Sequence, residues 1–87
     1  MTEEDTQLAS AKVKWIFDLI KNTPIDKRVE MKWSDLTQLR LDIMKGDETW
    51  ENAVRLVLIN FLQKNIPDEE PVLPQPVIDF MKPILIA

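Results

Sequence analysis

Eighty-seven residues, 45% of them apolar, suit one small domain, and the chain has neither cysteine nor histidine. That composition excludes disulfides, thiolate and imidazole metal sites and the commonest general base, and with them serine-hydrolase, cysteine-protease and zinc-enzyme chemistry. The net charge of −4 is uneven: three acids and no base in residues 1–11, eight bases and five acids in 12–45, three bases and seven acids in 46–87.

Thr2 reads as an N-cap followed by Glu3, Glu4 and Asp5, where the helix dipole favours acids, so a helix is expected over residues 3–21. Leu8, Ala11, Trp15 and Leu19 form one stripe, and Ala9, Val13, Ile16, Phe17 and Ile20 fill the adjoining half. Ser10, Lys14, Asp18 and Lys21 hold the polar face, and Lys12 alone interrupts the apolar side. The apolar arc is about twice the ~100° that a surface helix needs, which predicts contact with more than one neighbour.

Asn22-Thr23-Pro24-Ile25-Asp26 reads as a stop followed by a start, with Thr23 as N-cap and Pro24 as the first helical residue. Ile25, Val29, Trp33, Leu36, Leu39 and Ile43 stay in phase, which predicts a single helix over residues 24–45. A break at Trp33-Ser34-Asp35 is the alternative, since Ser34 can cap a new start. Gly46, the one glycine, ends the helix as C′ glycines do.

Asp47 reads as the cap of a third helix over residues 48–65, with Glu48 and Glu51 in its first turn. Trp50, Ala53, Val54, Val57, Leu58 and Phe61 form its main stripe, and Leu56, Ile59 and Leu62 widen it. The last stretch holds five of the six prolines: Pro67, Pro71, Pro74, Pro76 and Pro83. Between them lie large apolar residues that disordered segments usually lack, so this arm is expected to be extended and docked, on its own helices or on a partner. A short helical turn fits between Pro76 and Met81. The expected fold is all-α: a three-helix bundle of antiparallel neighbours in residues 1–66, with a proline-rich arm in residues 67–87.

No catalytic, cofactor or metal site emerges. One glycine cannot build a phosphate-cradling loop. The carboxylates of Glu3-Glu4-Asp5, Asp47-Glu48 and Asp68-Glu69-Glu70 lack the alternating spacing of a calcium loop, and capping or solvation explains them. Trp15, Trp33 and Trp50 fall one per helix, as a shared core requires, with Trp33 the one suited to be an exposed anchor. The expected function is therefore binding alone, as an adaptor, inhibitor or regulatory subunit in a homodimer or hetero-complex. Its partner-binding residues are expected among Val72, Leu73, Val77, Ile78, Phe80, Met81, Ile84 and Leu85, with Phe17 and Trp33. Lys27, Arg28 and Lys32 on the second helix are candidate nucleic-acid contacts for an accessory role in a polymerase-type complex, although Asp26 and Glu30 interleave with them. The acidic start, and a longest apolar run of only Leu56 to Ile59, point to an intracellular, cytoplasmic protein with no membrane partner.

Ile66-Pro67-Asp68-Glu69-Glu70, with Val77-Ile78-Asp79-Phe80 after it, resembles the stretch following the second helix of acyl carrier proteins. That family opens the helix on Asp-Ser-Leu, whose serine carries phosphopantetheine. Here the corresponding opening is Gly46-Asp47-Glu48-Thr49-Trp50, so the resemblance implies a degenerate carrier without its attachment residue. The helical pair from Trp33 to Leu62 is similar in layout to the small helical polymerase cofactor of coronaviruses, chiefly in its apolar spacing.

Overall fold

A computed structural model describes residues 2–82 of the chain. Helix α1 (Glu3–Asn22) begins at a reciprocal capping box: the Thr2 hydroxyl accepts from the Asp5 amide at 3.1 Å, and the Asp5 carboxylate accepts from the Thr2 amide at 3.4 Å. The helix ends at Thr23, which is extended, as the residue before a proline tends to be.

The single helix expected over residues 24–45 does not form. Ile25–Lys27 make one 3₁₀ turn, Val29–Glu30 form strand β1, and helix α2 spans Trp33–Lys45. The alternative break at Trp33-Ser34-Asp35 is also misplaced: the interruption lies upstream, those three residues are the first turn of α2, and the capping residue is Lys32 rather than Ser34, with no cap bond from its side chain. The physical reason is that the helical phase through Ile25 and Val29 has nothing to bury against. Ile25 is 72% exposed and Val29 43%, whereas Leu36 is fully buried. Three interactions hold the extended path instead. Arg28 donates from Nε to the Thr23 carbonyl at 2.8 Å and from Nη2 to the Ile20 carbonyl, closing the C-terminus of α1. Val29 and Glu30 pair antiparallel with strand β2 (Val72–Leu73), in the register Val29 with Leu73 and Glu30 with Val72. The Met31 amide donates to the Pro71 carbonyl at 2.8 Å.

The Arg28 cap makes a prediction. Arg28→Ala is expected to lower the unfolding free energy by about 1–2 kcal/mol, the scale of hydrogen bonds from a charged donor at a helix C-terminus. Urea denaturation should show a lower midpoint at unchanged slope, and Arg28→Lys should recover only part, because an ammonium cannot span two carbonyls as a planar fork does.

Gly46 does end α2, but at φ −86°, so it acts as an extended stop and not as a left-handed C′ residue. The cap of helix α3 (Trp50–Asn65) is Thr49, whose hydroxyl accepts from the Asn52 amide at 3.2 Å. Asp47, expected in that role, instead offers its backbone carbonyl to Asn52 Nδ2 at 2.9 Å. The four-residue connection makes α2 and α3 antiparallel, as expected. Helices α1 and α3 lie side by side in the same direction, as two successive reversals of antiparallel neighbours require: Thr6 and Ala9 face Ala53 at one end and Phe17 meets Phe61 at the other.

After β2, helix α4 (Gln75–Met81) starts behind an extended Pro74, with Pro76 in its first turn where its missing amide costs nothing. The core is a single cluster made of Ile16, Met31, Leu36, Ile43, Val54, Leu58, Ile59, Leu62, Leu73, Val77, Ile78 and Met81. Its last four members come from the proline-rich segment, which is therefore docked on its own chain over the described residues. The fold is all-α apart from the two-residue ladder. Among the described residues no helix is long and apolar enough to cross a membrane.

Candidate functional site

Docking of α4 decides which apolar side chains remain available. Leu73, Val77, Ile78 and Met81, expected to contact a partner, are buried inside the chain at 4% exposure or less, and have no surface to offer. Val72 is half-buried in the β-ladder. Phe80 is half-buried between two cations: Lys12 Nζ and the Arg55 guanidinium each lie 4.6 Å from its ring centre. Lys12 also lies 3.8 Å from the centre of the Trp15 ring, which accounts for a lysine on the apolar side of α1. Arg55 donates to the Phe80 carbonyl at 2.7 Å and to Asn52 Oδ1 at 2.6 Å. Desolvation lowers the Arg55 pKa and neighbouring Glu51 opposes the shift, but a guanidinium stays charged at any physiological pH. Ile84 and Leu85 lie outside the described residues.

Trp33 is a pin for the chain's own backbone. Its indole Nε1 donates to the Glu69 carbonyl at 2.6 Å, and its amide donates to the Glu70 carboxylate at 3.1 Å. Glu70 thus supplies, from 37 residues away, the cap that Lys32 cannot. The tryptophans divide: Trp33 and Trp50 are half-buried and pack against the core, while Trp15 is 39% exposed. Lys27, Arg28 and Lys32 do not share a helix face either. They lie respectively in the 3₁₀ turn, at the cap of α1 and just before α2, and Arg28 is committed to backbone carbonyls. Such an arrangement offers little of the uncompensated, contiguous charge that phosphate binding draws on.

Phe17 is the expected site residue that does reach an exposed apolar surface. It sits on the seam between α1 and α3, its ring 5.0 Å from that of Phe61 in an edge-to-face pair at 83°. Phe61 is 42% exposed and Val57, one turn before it, 52%. Towards the N-terminal ends of both helices the seam opens into a notch of about 370 Å³ lined by small residues, including Thr6, Ala9, Ser10 and Ala53, with Val13 and Val57 at its inner edge. Towards the C-terminal ends, Phe17 and Phe61 border a second hollow of about 540 Å³ that reaches Lys21, Ile66 and the segment from Glu69 to Leu73. Ala53, Val57 and Phe61 on α3 are spaced four apart and face α1 residues at three- and four-residue intervals, so the seam is a groove between two parallel ridges. The signal for it in the sequence was the excess width of both apolar arcs. Val57 and Phe61 belong to the main stripe of the third helix, and the stripe alone does not say which of its edges stays uncovered.

No protein-family model, curated protein or solved structure matches the chain. Its chemistry is therefore read from the surface itself. Among the described residues no group of three or more histidine, cysteine or acidic side chains converges to hold a metal. The seam is mostly apolar, with the hydroxyls of Thr6 and Ser10 at one end and Lys21, Arg28, Glu69 and Glu70 around the hollow at the other.

Proposed function

We propose that this protein is a small interaction module, an adaptor, inhibitor or regulatory subunit, that acts by binding alone through the α1–α3 seam. The observation that supports this reading is the exposure of Val57 and Phe61 on successive turns of α3, beside Phe17 and a notch of small residues. Full burial of such a side chain contributes about 1.5–3 kcal/mol, so covering the exposed halves of several yields a useful association energy without any catalytic group. The aromatic pair gives one end of the groove an anchor of the residue type enriched at interfaces.

The test is a benzophenone amino acid placed at position 57 in the full chain and irradiated in the cells that make the protein. A discrete adduct is expected from position 57 and none from position 25, which is equally apolar and more exposed but lies away from the seam. Equal labelling at both positions, or none at 57, would count against the proposal.

A further inference from the structure

The two ends of the seam differ in shape and in charge, and each end matches the other. The C-terminal end carries the projecting rings of Phe17 and Phe61. The N-terminal end carries the notch lined by Thr6, Ala9, Ser10 and Ala53. Phe61 lies about 12 Å along α3 from Ala53, with Val57 midway, as eight residues of helix dictate. Because α1 and α3 run the same way, their acidic ends coincide: Glu3, Glu4 and Asp5 begin α1, and Asp47 and Glu48 precede α3, while Glu51 in its first turn lies by Arg55 on the Phe80 side. Their basic last turns coincide too, with Lys21 on α1 and Lys64 on α3. Glu69 and Glu70 also border the hollow at that end, Glu70 being engaged by the Trp33 amide.

We propose that the seam docks a second copy of this chain, antiparallel, about a two-fold axis passing near Val13 and Val57. The inference rests on the reading of the seam as a binding surface and names its occupant. A two-fold rotation there places the rings of each copy in the notch of the other, and the Lys21 and Lys64 end of each near the acidic N-terminal end of the other, where Glu3, Glu4 and Asp5 open α1. A self-complementary patch of this kind is what an isologous dimer requires. A second copy satisfies the shape and the charge pattern together.

The arrangement has a diagnostic pair. Glu3 and Lys21 lie on one edge of α1, five turns and about 27 Å apart, so they cannot pair within one chain. Only an antiparallel neighbour brings them together, and by symmetry it does so twice.

Sedimentation equilibrium on the full chain tests this with the wild type, Val57→Glu, Lys21→Glu and the double variant Glu3→Lys with Lys21→Glu. The wild type is expected to be a dimer. Val57→Glu, which sets two carboxylates face to face at the axis, should raise the dissociation constant by about 100-fold or more. Its far-UV circular dichroism should be unchanged, because Val57 is half-exposed within one chain, while its urea midpoint should fall to that of the monomer and lose its dependence on protein concentration. Lys21→Glu should weaken association about three- to tenfold, and the double variant should restore it. A wild type that is monomeric at several hundred micromolar, a Val57→Glu dimer as tight as wild type, or a double variant no tighter than Lys21→Glu would overturn the antiparallel dimer. If the wild type is monomeric and position 57 still crosslinks to a different protein, the dimer fails and the interaction reading survives. Monomeric behaviour with no crosslink at 57 removes both.

Discussion

A chain ending at Ile66 is expected not to fold. Removing residues 67–87 takes Leu73, Val77, Ile78 and Met81 out of the core, together with the buried Pro71. It also strips β1 of its partner strand and leaves the Met31 amide, the Trp33 amide and the Trp33 indole without their acceptors. At about 1.5–3 kcal/mol for each fully buried side chain, the four apolar residues alone contribute on the order of 6–12 kcal/mol. That is an upper figure, because unfolded chains already bury some of this surface. The whole stability of a domain this size is about 4–13 kcal/mol, so the loss is of the same order as the total. The truncated chain should show no cooperative thermal transition by circular dichroism and a collapsed amide spectrum. A sigmoidal melt within a few degrees of the full chain would mean that the segment is an appendage.

The second large effect separates two residues that helical periodicity places on one stripe. Leu36→Ala is expected to cost about 2–5 kcal/mol, the range for deleting a fully enclosed leucine. Ile25→Ala should change stability by no more than about 0.5 kcal/mol, as surface substitutions do. The contrast follows from exposures of 0% and 72%. A continuous helix over residues 24–45 would make the two costs comparable, so paired urea titrations discriminate the broken path from the unbroken one.

What was legible before the structure depended on how local the deciding interaction was. The start of α1 was legible because Thr2 and Asp5 cap it within one turn, and its end because Pro24 acts on its neighbour. The third helix was placed to within a couple of residues, although its cap is Thr49 rather than Asp47. The segment from Ile25 to Lys32 was misread because its competitor is distant. Val72, Leu73, Pro71 and Glu70 hold it extended from about forty residues away, and its apolar spacing happens to fit a helix. The tail's apolar content pointed to docking, but no local pattern said against what.

The seam was half legible. Phe17 was picked out because the arc on α1 is too wide for one neighbour. Val57 and Phe61 were placed only in the main stripe of the third helix, since the edge of a wide arc that becomes covered depends on where α4 lands. In the folded chain Phe80 takes the opposite side, held between Lys12 and Arg55, and the Phe17–Phe61 side is left exposed.

Residues 71–81 complete the core, and the α1–α3 seam they leave uncovered is the surface proposed for binding. Native-state amide hydrogen exchange on the full chain tests this division most directly. The amides of Met31, Val77 and Ile78, bonded to the carbonyls of Pro71 and Pro74, should exchange with opening free energies within about 1 kcal/mol of those of Leu58 and Leu62 in α3. Exchange of Met31, Val77 and Ile78 orders of magnitude faster than the α3 amides would show that the segment detaches on its own, and would return the tail to the list of surfaces that meet a partner.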